Sequence, residues 1–251
     1  GVTGVTVNNL AAIQSALATS TITGAQMGTS DSVQALVDAY RLILAEANGS
    51  NADTTPLVNP TASTYAAIGA TTAANMADNG SAHSLLNNVI GQSAPLQVNS
   101  VANIESLAAA VHAVMNTAAN SSQTQATVAQ FDALGISGVH ADNLAAVLTA
   151  LQATADDGSG ARTQAQLQAL VDNVNARLLG VITQYAQANS GPMPTVADYA
   201  RAGVSGVDNV NIFAVNSALA SASVTGISVD TANKLQGVVD SFRTILTEAN
   251  G

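Results

Sequence analysis

The chain has 251 residues, a net charge of −10 and a single lysine, Lys234. An acidic chain of this kind lacks the basic surface that nucleic-acid binding needs, and it is not attracted to anionic lipid. Cysteine is absent, which excludes a disulfide framework and a cysteine-based zinc site. No apolar stretch reaches the ~18 residues of a membrane span, and no signal-peptide pattern is present. We therefore expect neither a nucleic-acid partner nor membrane insertion.

Composition also bears on the fold class. Hydrophobic residues make up 47% of the chain, aromatic residues 3% and charged residues 9%. Much of the apolar content is alanine, which is the best helix former and whose small side chain lets helices approach closely. With so few charges, the exposed faces must be formed by Ser, Thr, Asn and Gln. The composition favours an all-α protein.

One five-residue phrase recurs along the chain. "GVTGV" opens it, "GISGV" begins at Gly135 and "GVSGV" begins at Gly203, while Gly69 takes the place of the leading glycine in a fourth copy. These glycines lie 68, 66 and 68 residues apart, and an aromatic residue stands four positions before each of the last three. Self-similarity at a fixed period predicts a tandem repeat.

We predict an elongated all-α array of small three-helix repeats with the bounds 1–56, 57–124, 125–191 and 192–251. The first repeat lacks its first helix, because the chain starts at the leading glycine, and the final "EANG" falls where a further repeat would follow. Both ends are therefore expected to cut a longer array out of phase with its repeat. Such arrays gain stability from contacts between neighbouring units.

In chain order, each repeat starts with a short first helix of the "PTVADYARAG" type, bounded by proline near its start and glycine after its end. The glycine is expected to be left-handed, and the phrase that follows should join the first helix to the second. The second helix is predicted from apolar positions in three repeats: Leu10, Ile13 and Leu17; Leu144, Val147 and Leu151; Ile212, Val215 and Leu219. In the second repeat Asp78 and Asn79 fall where this helix should begin, so it is expected to start late.

The third helix has the clearest periodicity, with apolar residues at i, i+3, i+4 and i+7. Three repeats share this stripe: Val33, Leu36, Val37, Tyr40, Ile43, Leu44 and Ala47; Ile104, Leu107, Ala108, Val111, Val114, Met115 and Ala118; Leu235, Val238, Val239, Phe242, Ile245, Leu246 and Ala249. The third repeat adds seven residues, which should lengthen its third helix by two turns without much rotation of the buried face. Tyr40, Tyr199 and Phe242 are predicted core residues.

The groups that could carry chemistry are few. His83, His112 and His140 each lack a second ligand at the helical spacing of a zinc motif, so we expect hydrogen-bonded or solvent-facing histidines. "ADDGSGA" at Ala155–Ala161 has oxygen ligands and glycine suited to calcium but lacks the distal glutamate of a calcium loop. A solvated loop is the favoured interpretation there, and "NADTT" at Asn51–Thr55 is a weaker candidate.

Other polar residues have structural explanations. Asp38, Asp172 and Asp240 occupy one repeat position, which favours a solvated helix face or an inter-helix hydrogen bond over a catalytic acid. Asn48, Asn79 and Asn120 lie in Asn-x-Ser sequences, which mark surface loops if the source glycosylates them and are otherwise ordinary helix-end residues. No nucleophile, phosphate-loop or dinucleotide motif is present. We assign no catalytic, cofactor-binding or metal residue, and we expect no enzyme and no cofactor.

The stretches "PTVADYARAGVSGVDNVNIFAVNSALA" and "VDTANKLQGVVDSFRTILTEANG", with their relatives at Gly1 and Val128, resemble the tandem helical repeats of very large bacterial cell-surface and adhesin-like proteins. The architecture is also similar to the three-helix modules of bacterial host-protein-binding surface proteins. The resemblance implies an exported spacer or binding array on a bacterial surface. It transfers no binding residues.

The expected function is a structural, non-catalytic segment of an extracellular bacterial surface protein, of stalk or adhesin type. Its partners would be neighbouring repeats, identical subunits or a surface ligand of unknown identity. One alternative is a subunit that self-assembles into a filament, sheath or surface layer, in which the out-of-phase ends complete one another. A second alternative is a host-protein-binding three-helix module, which should expose an apolar patch on two helices of one unit.

Overall fold

The computed structural model describes residues 1–50, 59–188 and 191–250, and all regular secondary structure in these ranges is helical, which confirms the all-α prediction. Twelve α-helices follow in chain order: α1 Leu10–Leu17, α2 Ser30–Glu46, α3 Ala62–Ala67, α4 Thr71–Ala74, α5 Ser81–Gln92, α6 Val101–Ala118, α7 Val128–Ala133, α8 Leu144–Gln152, α9 Gln164–Ala188, α10 Val196–Arg201, α11 Ile212–Leu219 and α12 Ala232–Asn250. Short 3₁₀ helices lie at Pro95–Gln97, Ser159–Ala161 and Gly226–Val229.

The chain divides into two compact units. The first comprises residues 1–136 and 151–167, and the second comprises residues 137–150 and 168–251. This division into two units does not test the four predicted repeats, whose bounds remain a prediction.

In the first unit, α2 and α6 contact most of the other helices. Helix α2 contacts α1, α3 and α5, and α6 contacts α1, α4, α5 and α7. Their predicted stripes are almost completely buried at these positions: Leu36, Val37, Tyr40, Ile43, Ile104, Ala108, Val111 and Val114. Alanine contributes strongly, since Ala110, Ala113 and Ala118 of α6 are also buried. Small side chains on α6 allow several helices to pack closely around it.

An apolar core lies in the second unit. Its buried members come from α9 to α12 and the segments between them: Leu179, Ile182, Tyr185, Ala186, Tyr199, Ala202, Val204, Val215, Leu219, Val229, Leu235 and Val239. Tyr199 is the fully buried aromatic residue predicted for the first helix of the repeat.

Several buried positions differ from the predictions. Leu10 and Leu17 of α1 are each 42% exposed, and Phe242 of α12 is only partly buried. Helix α9 has the predicted extra length, with 25 residues against 17 in α2. Its buried face nevertheless rotates, because a step of five residues separates the buried Val174 and Leu179. A five-residue step turns an α-helix by about 140° beyond one full turn.

The second repeat starts its second helix late, as predicted. Asp78 and Asn79 precede α5, which begins at Ser81, and the additional short helix α4 fills the space after Gly69. Asn79 is left-handed at φ +62°, and Gly80 is the N-terminal cap of α5. Asparagine tolerates this conformation better than most residues.

Candidate functional site

The most regular local structure in the chain is the joint after each short first helix. Gly69, Gly135 and Gly203 have φ of +80°, +73° and +77°, which confirms the predicted left-handed glycines. At Gly203, the amide donates to Ala200 O at 3.0 Å, and the Val204 amide donates to Tyr199 O at 2.9 Å. Gly69 and Gly135 have the same pair of bonds. This is the Schellman arrangement, which satisfies the last carbonyls of a helix.

The second glycine of the phrase is also left-handed and is held by an asparagine. Gly4, Gly138 and Gly206 have φ of +81°, +82° and +80°. Asn211 Nδ2 donates to Gly206 O at 2.8 Å, and Asn211 Oδ1 accepts from the Asp208 amide at 2.9 Å. Asn9 and Asn143 make the equivalent bonds. One amide side chain therefore closes the turn that leads into α1, α8 and α11.

A glutamine on the third helix binds the backbone of the same phrase. The Ser205 amide donates to Gln236 Oε1 at 2.8 Å, and Gln236 Nε2 donates back to Ser205 O at 3.1 Å and to Asp240 Oδ1 at 2.9 Å. Three sets share this arrangement, which we call the amide clamp: Thr3, Gln34 and Asp38; Ser137, Gln168 and Asp172; Ser205, Gln236 and Asp240.

The clamp explains the repeated aspartates. Each accepts a hydrogen bond from the glutamine amide and thereby fixes which end of that amide faces the backbone. Asp38, Asp172 and Asp240 are exposed, as the solvated-face interpretation predicts. Each bonds the glutamine four residues earlier on its own helix, and it is the glutamine that contacts the turn. The degenerate second repeat uses a different group, since the Thr72 amide donates to Glu105 Oε1 at 2.9 Å.

An arginine or an asparagine covers the second glycine. A Cβ on Gly206 would lie 2.8 Å from Arg243 Cζ, and a Cβ on Gly4 would lie 3.1 Å from Arg41 Cζ. In the third repeat Asn175 Nδ2 donates to Gly138 O at 3.0 Å instead. Glycine is needed here for its positive φ, since the exposed arginine head groups could move aside for a Cβ.

A buried aromatic–asparagine pair connects the first and second helices in two repeats. Tyr199 OH donates to Asn216 Oδ1 at 2.5 Å, and Asn216 Nδ2 donates to Pro194 O at 2.9 Å. Tyr65, Asn87 and Pro60 repeat this network at 2.5 and 2.9 Å. Burial raises the pKa of the Tyr65 and Tyr199 hydroxyls, so both remain donors at neutral pH. The corresponding residues of the third repeat are all apolar: Ala126, Phe131 and Leu148.

The first unit also contains a polar cavity of about 670 Å³. Its lining includes the buried Glu46, His83 and Asn87, the exposed Asp78, and Arg162. His83 is 6% exposed, and its Nε2 lies 3.3 Å from Asp78 Oδ1. The His83 ring meets the Tyr65 ring edge-on at a centroid distance of 6.0 Å. Arg162 Nη2 donates to Asn79 O at 3.2 Å and to Ser84 Oγ at 3.3 Å.

The electrostatics of the cavity favour neutral histidine. Burial lowers the pKa of His83, and the nearby Asp78 carboxylate opposes that shift only in part. A neutral imidazole beside a carboxylate can exchange a proton with a bound molecule. Ser84 Oγ accepts from Arg162 Nη2, and among the described residues no hydrogen bond joins a serine hydroxyl to His83, whose Nδ1 lies 3.5 Å from Asn87 Nδ2.

The remaining candidates are dispersed. His140 lies at the third-repeat turn, where its amide donates to Asn143 Oδ1 and its Nε2 faces Gly203, and His112 is half-buried on α6. In Ala155–Ala161, Asp157 Oδ1 accepts from the Ser159 amide at 2.9 Å, and hydrogen bonds from Ser159 lower the pKa of Asp157. Among the described residues, no group of three or more His, Asp or Glu is placed to hold a metal ion.

The asparagines of the Asn-x-Ser sequences lie at the surface. Asn48, Asn79 and Asn120 are exposed, and Asn120 is left-handed at φ +46°. Asn51–Thr55 lies outside the described residues.

Sequence reasoning did not identify the clamp glutamines, the Tyr–Asn pairs or the buried position of His83. The clamp had a detectable signal, because Gln-x-x-x-Asp recurs 31 residues after the Thr or Ser of the phrase in three repeats. The Tyr–Asn pair had a weaker signal in the sequence. Where the fourth repeat has Tyr199 and Asn216, the third repeat has apolar residues at both positions, Phe131 and Leu148.

No helix in the described part of the chain is long and apolar enough to cross a membrane. Neither a protein-family model, nor a curated protein, nor a solved structure matches the chain.

Proposed function

We propose that this chain is a structural, non-catalytic segment of an extracellular bacterial surface protein, built as an elongated tandem array of three-helix repeats. Its role would be that of a stalk or an adhesin-type array, located at the cell surface, with neighbouring repeats as its main partners. The observation that carries this proposal is the recurrence of one joint: its left-handed second glycine, asparagine and amide clamp occur three times, and two of these copies also have the left-handed first glycine.

A joint that recurs at a fixed period supports a structural role more than a binding role. The clamp side chains are used to satisfy backbone groups of the turn, so they are not available to a ligand. A catalytic site, in contrast, needs groups that converge once in one pocket. In repeat proteins, recurrence of this kind fixes the same geometry at each step.

The packing between successive helices supports an array as well. Helix α2 contacts α3 and α5, which belong to the next predicted repeat. In the second unit Ile182 and Ala186 of α9 share a core with Tyr199 and Val215, again from the next predicted repeat. These contacts of the first and third predicted repeats with their successors support nearest-neighbour stabilisation.

Small-angle X-ray scattering tests the array. A compact protein of 251 residues would have a radius of gyration of about 18 Å, whereas an elongated array should give a clearly larger value. Joining two chains in tandem should then increase the maximum dimension almost twofold. A radius of gyration near the compact value would refute the array.

Cell-surface location is tested separately. Antibodies raised against the chain should label intact cells of its source organism. Labelling that requires permeabilised cells would refute an extracellular role and leave the array proposal unaffected.

A further inference from the structure

The second half of α12 carries an apolar face that the described residues leave largely uncovered. We call Phe242, Ile245, Leu246 and Ala249 the α12 distal face. Ile245 is 61% exposed, Ala249 is exposed, and Phe242 and Leu246 are only partly buried. Helix α12 otherwise follows the apolar stripe of α2, and its first half is well buried through Leu235 and Val239.

The same positions are covered in the first repeat. Tyr40, Ile43 and Ala47 correspond to Phe242, Ile245 and Ala249, and all three are 0% exposed. Helix α2 contacts α1 of its own predicted repeat and α3 and α5 of the next one. Tyr65 of α3 is completely buried, and Tyr40 OH also donates to Val98 O at 3.3 Å. The covering segment is therefore a short first helix followed by a second helix.

This arrangement occurs twice more. In the first unit α7 packs on α6, whose Val114 and Ala118 are completely buried, and Phe131 of α7 is buried as well. In the second unit Tyr199 of α10 and Leu219 of α11 share a core with Ile182 of α9. Each of these three third helices thus packs with a short first helix that supplies one buried aromatic residue, and for α2 and α9 the second helix joins the same packing.

We infer that the α12 distal face is a docking surface for the first and second helices of another repeat of this type. The inference rests on the proposed repeat architecture. The occupant has a defined chemistry: a short helix with the pattern Pro-Thr-x-x-x-aromatic-x-x-x-Gly, whose aromatic side chain fits against Phe242 and Ile245, followed by a joint and an apolar second helix. Electrostatics place little restriction on this occupant, because the α10–α11 segment contains few charged residues.

A synthetic peptide of residues 193–220, which contains α10 and α11, is the probe for this surface. Titration of the fluorescent peptide with the intact chain should give saturable binding by anisotropy. Ile245→Asp should weaken the affinity about tenfold or more, because a central apolar contact at an interface is replaced by a charge. Ile227→Asp is the matched control, since Ile227 is 76% exposed and lies outside the α12 distal face. It should leave the affinity unchanged within about twofold.

A peptide carrying Tyr199→Ala should lose affinity by a similar factor of about ten, because the buried aromatic residue is the central contact in all three internal examples. Ala249→Arg provides a second chain variant, and circular dichroism checks that both variants remain folded.

Three results would overturn the inference. Binding that Ile245→Asp leaves unchanged would place the peptide elsewhere, for instance in exchange with the chain's own α10–α11. No saturation up to about 1 mM peptide would mean that the face has no such occupant. Self-association of the chain that Ile245→Asp abolishes, without peptide binding, would show that a second copy covers the face. The scattering result separates this failure from failure of the array, since an elongated chain without peptide binding would contradict only the docking surface.

Discussion

Removing one hydroxyl from the second unit tests the buried polar network directly. In Tyr199→Phe the ring is retained, and only the bond from Tyr199 OH to Asn216 Oδ1 is lost. Asn216 is 2% exposed, so water cannot easily replace the lost donor. Asn216 Oδ1 is left as a buried acceptor, whereas Asn216 Nδ2 still donates to Pro194 O.

The expected cost follows from that unpaired acceptor. A buried polar atom left without its partner costs about 1–3 kcal/mol. For a protein of this size, a loss of about 2 kcal/mol lowers the melting temperature by roughly 4–8 °C. The free energy of unfolding should fall by the same amount in a urea titration, with little change in the denaturant slope, because the folded surface is unchanged.

The third repeat suggests a second substitution that should compensate for the loss of the Tyr199 hydroxyl. The third repeat has Phe131 and Leu148 where the fourth has Tyr199 and Asn216. The double variant Tyr199→Phe/Asn216→Leu should therefore recover part of the lost stability, although Pro194 O then loses its donor. Replacing both partners of a buried hydrogen bond costs less than removing one, so a double-mutant cycle should give a clear coupling energy.

Tyr185→Phe is the control for ring chemistry in the same core, because the Tyr185 hydroxyl takes no part in this network. It should melt within about 1 °C of the parent chain. If Tyr199→Phe did the same, the hydroxyl–asparagine bond would contribute nothing to stability and the reasoning would be wrong.

Three further predictions follow from the same structure. Gly203→Val should lower the melting temperature by several degrees through its φ of +77°, because a left-handed non-glycine residue costs about 1–2 kcal/mol or more when β-branched; an unchanged melting curve would mean that this conformation is not required. Adding a "TVADYARA"-type segment before Gly1 should raise the melting temperature by covering Leu17 of α1, which is 42% exposed while its counterpart Leu219 is buried, and no change would contradict the three-helix repeat. His83 has a lowered pKa in the folded state, so its contribution to stability is complete above the unfolded pKa of about 6.5 and is lost as the pH falls below it. His83→Gln should therefore flatten the decline in melting temperature between pH 7.5 and 5, and an unchanged decline would contradict this role.

The apolar periodicity of the third helices was sufficient to predict where α2, α6 and α12 run, because a 3.6-residue stripe marks one face of a helix. The glycine phrase predicted the left-handed residues Gly135 and Gly203 for a similar local reason. Periodicity did not reveal that Phe242 and Ile245 are less buried than Tyr40 and Ile43. Burial at those positions depends on a neighbouring segment, and a stripe carries no information about whether that neighbour is present.

The polar contacts were harder to predict. Gln34, Gln168 and Gln236 lie on the outer side of their helices, where glutamine is ordinarily a solvated residue. Their role depends on a backbone turn 31 residues earlier in the chain. His83 presents the same difficulty, because its burial comes from the cavity formed with Glu46 and Arg162, which are distant in sequence.

The amide clamp explains how a chain with few charges and few aromatic residues fixes the positions of its helices. Alanine-rich faces are smooth, and helices that pack through them can slide with little change in buried area. The polar contacts supply the missing specificity, since a backbone amide and carbonyl at Ser205 can be satisfied by Gln236 in only one register. The ion pairs beside the clamps, such as Arg243 with Asp240 at 3.8 Å, are about half exposed on both side chains and contribute little to stability. Neutral amides are therefore what fixes the register here, and this is compatible with a chain in which only 9% of residues are charged.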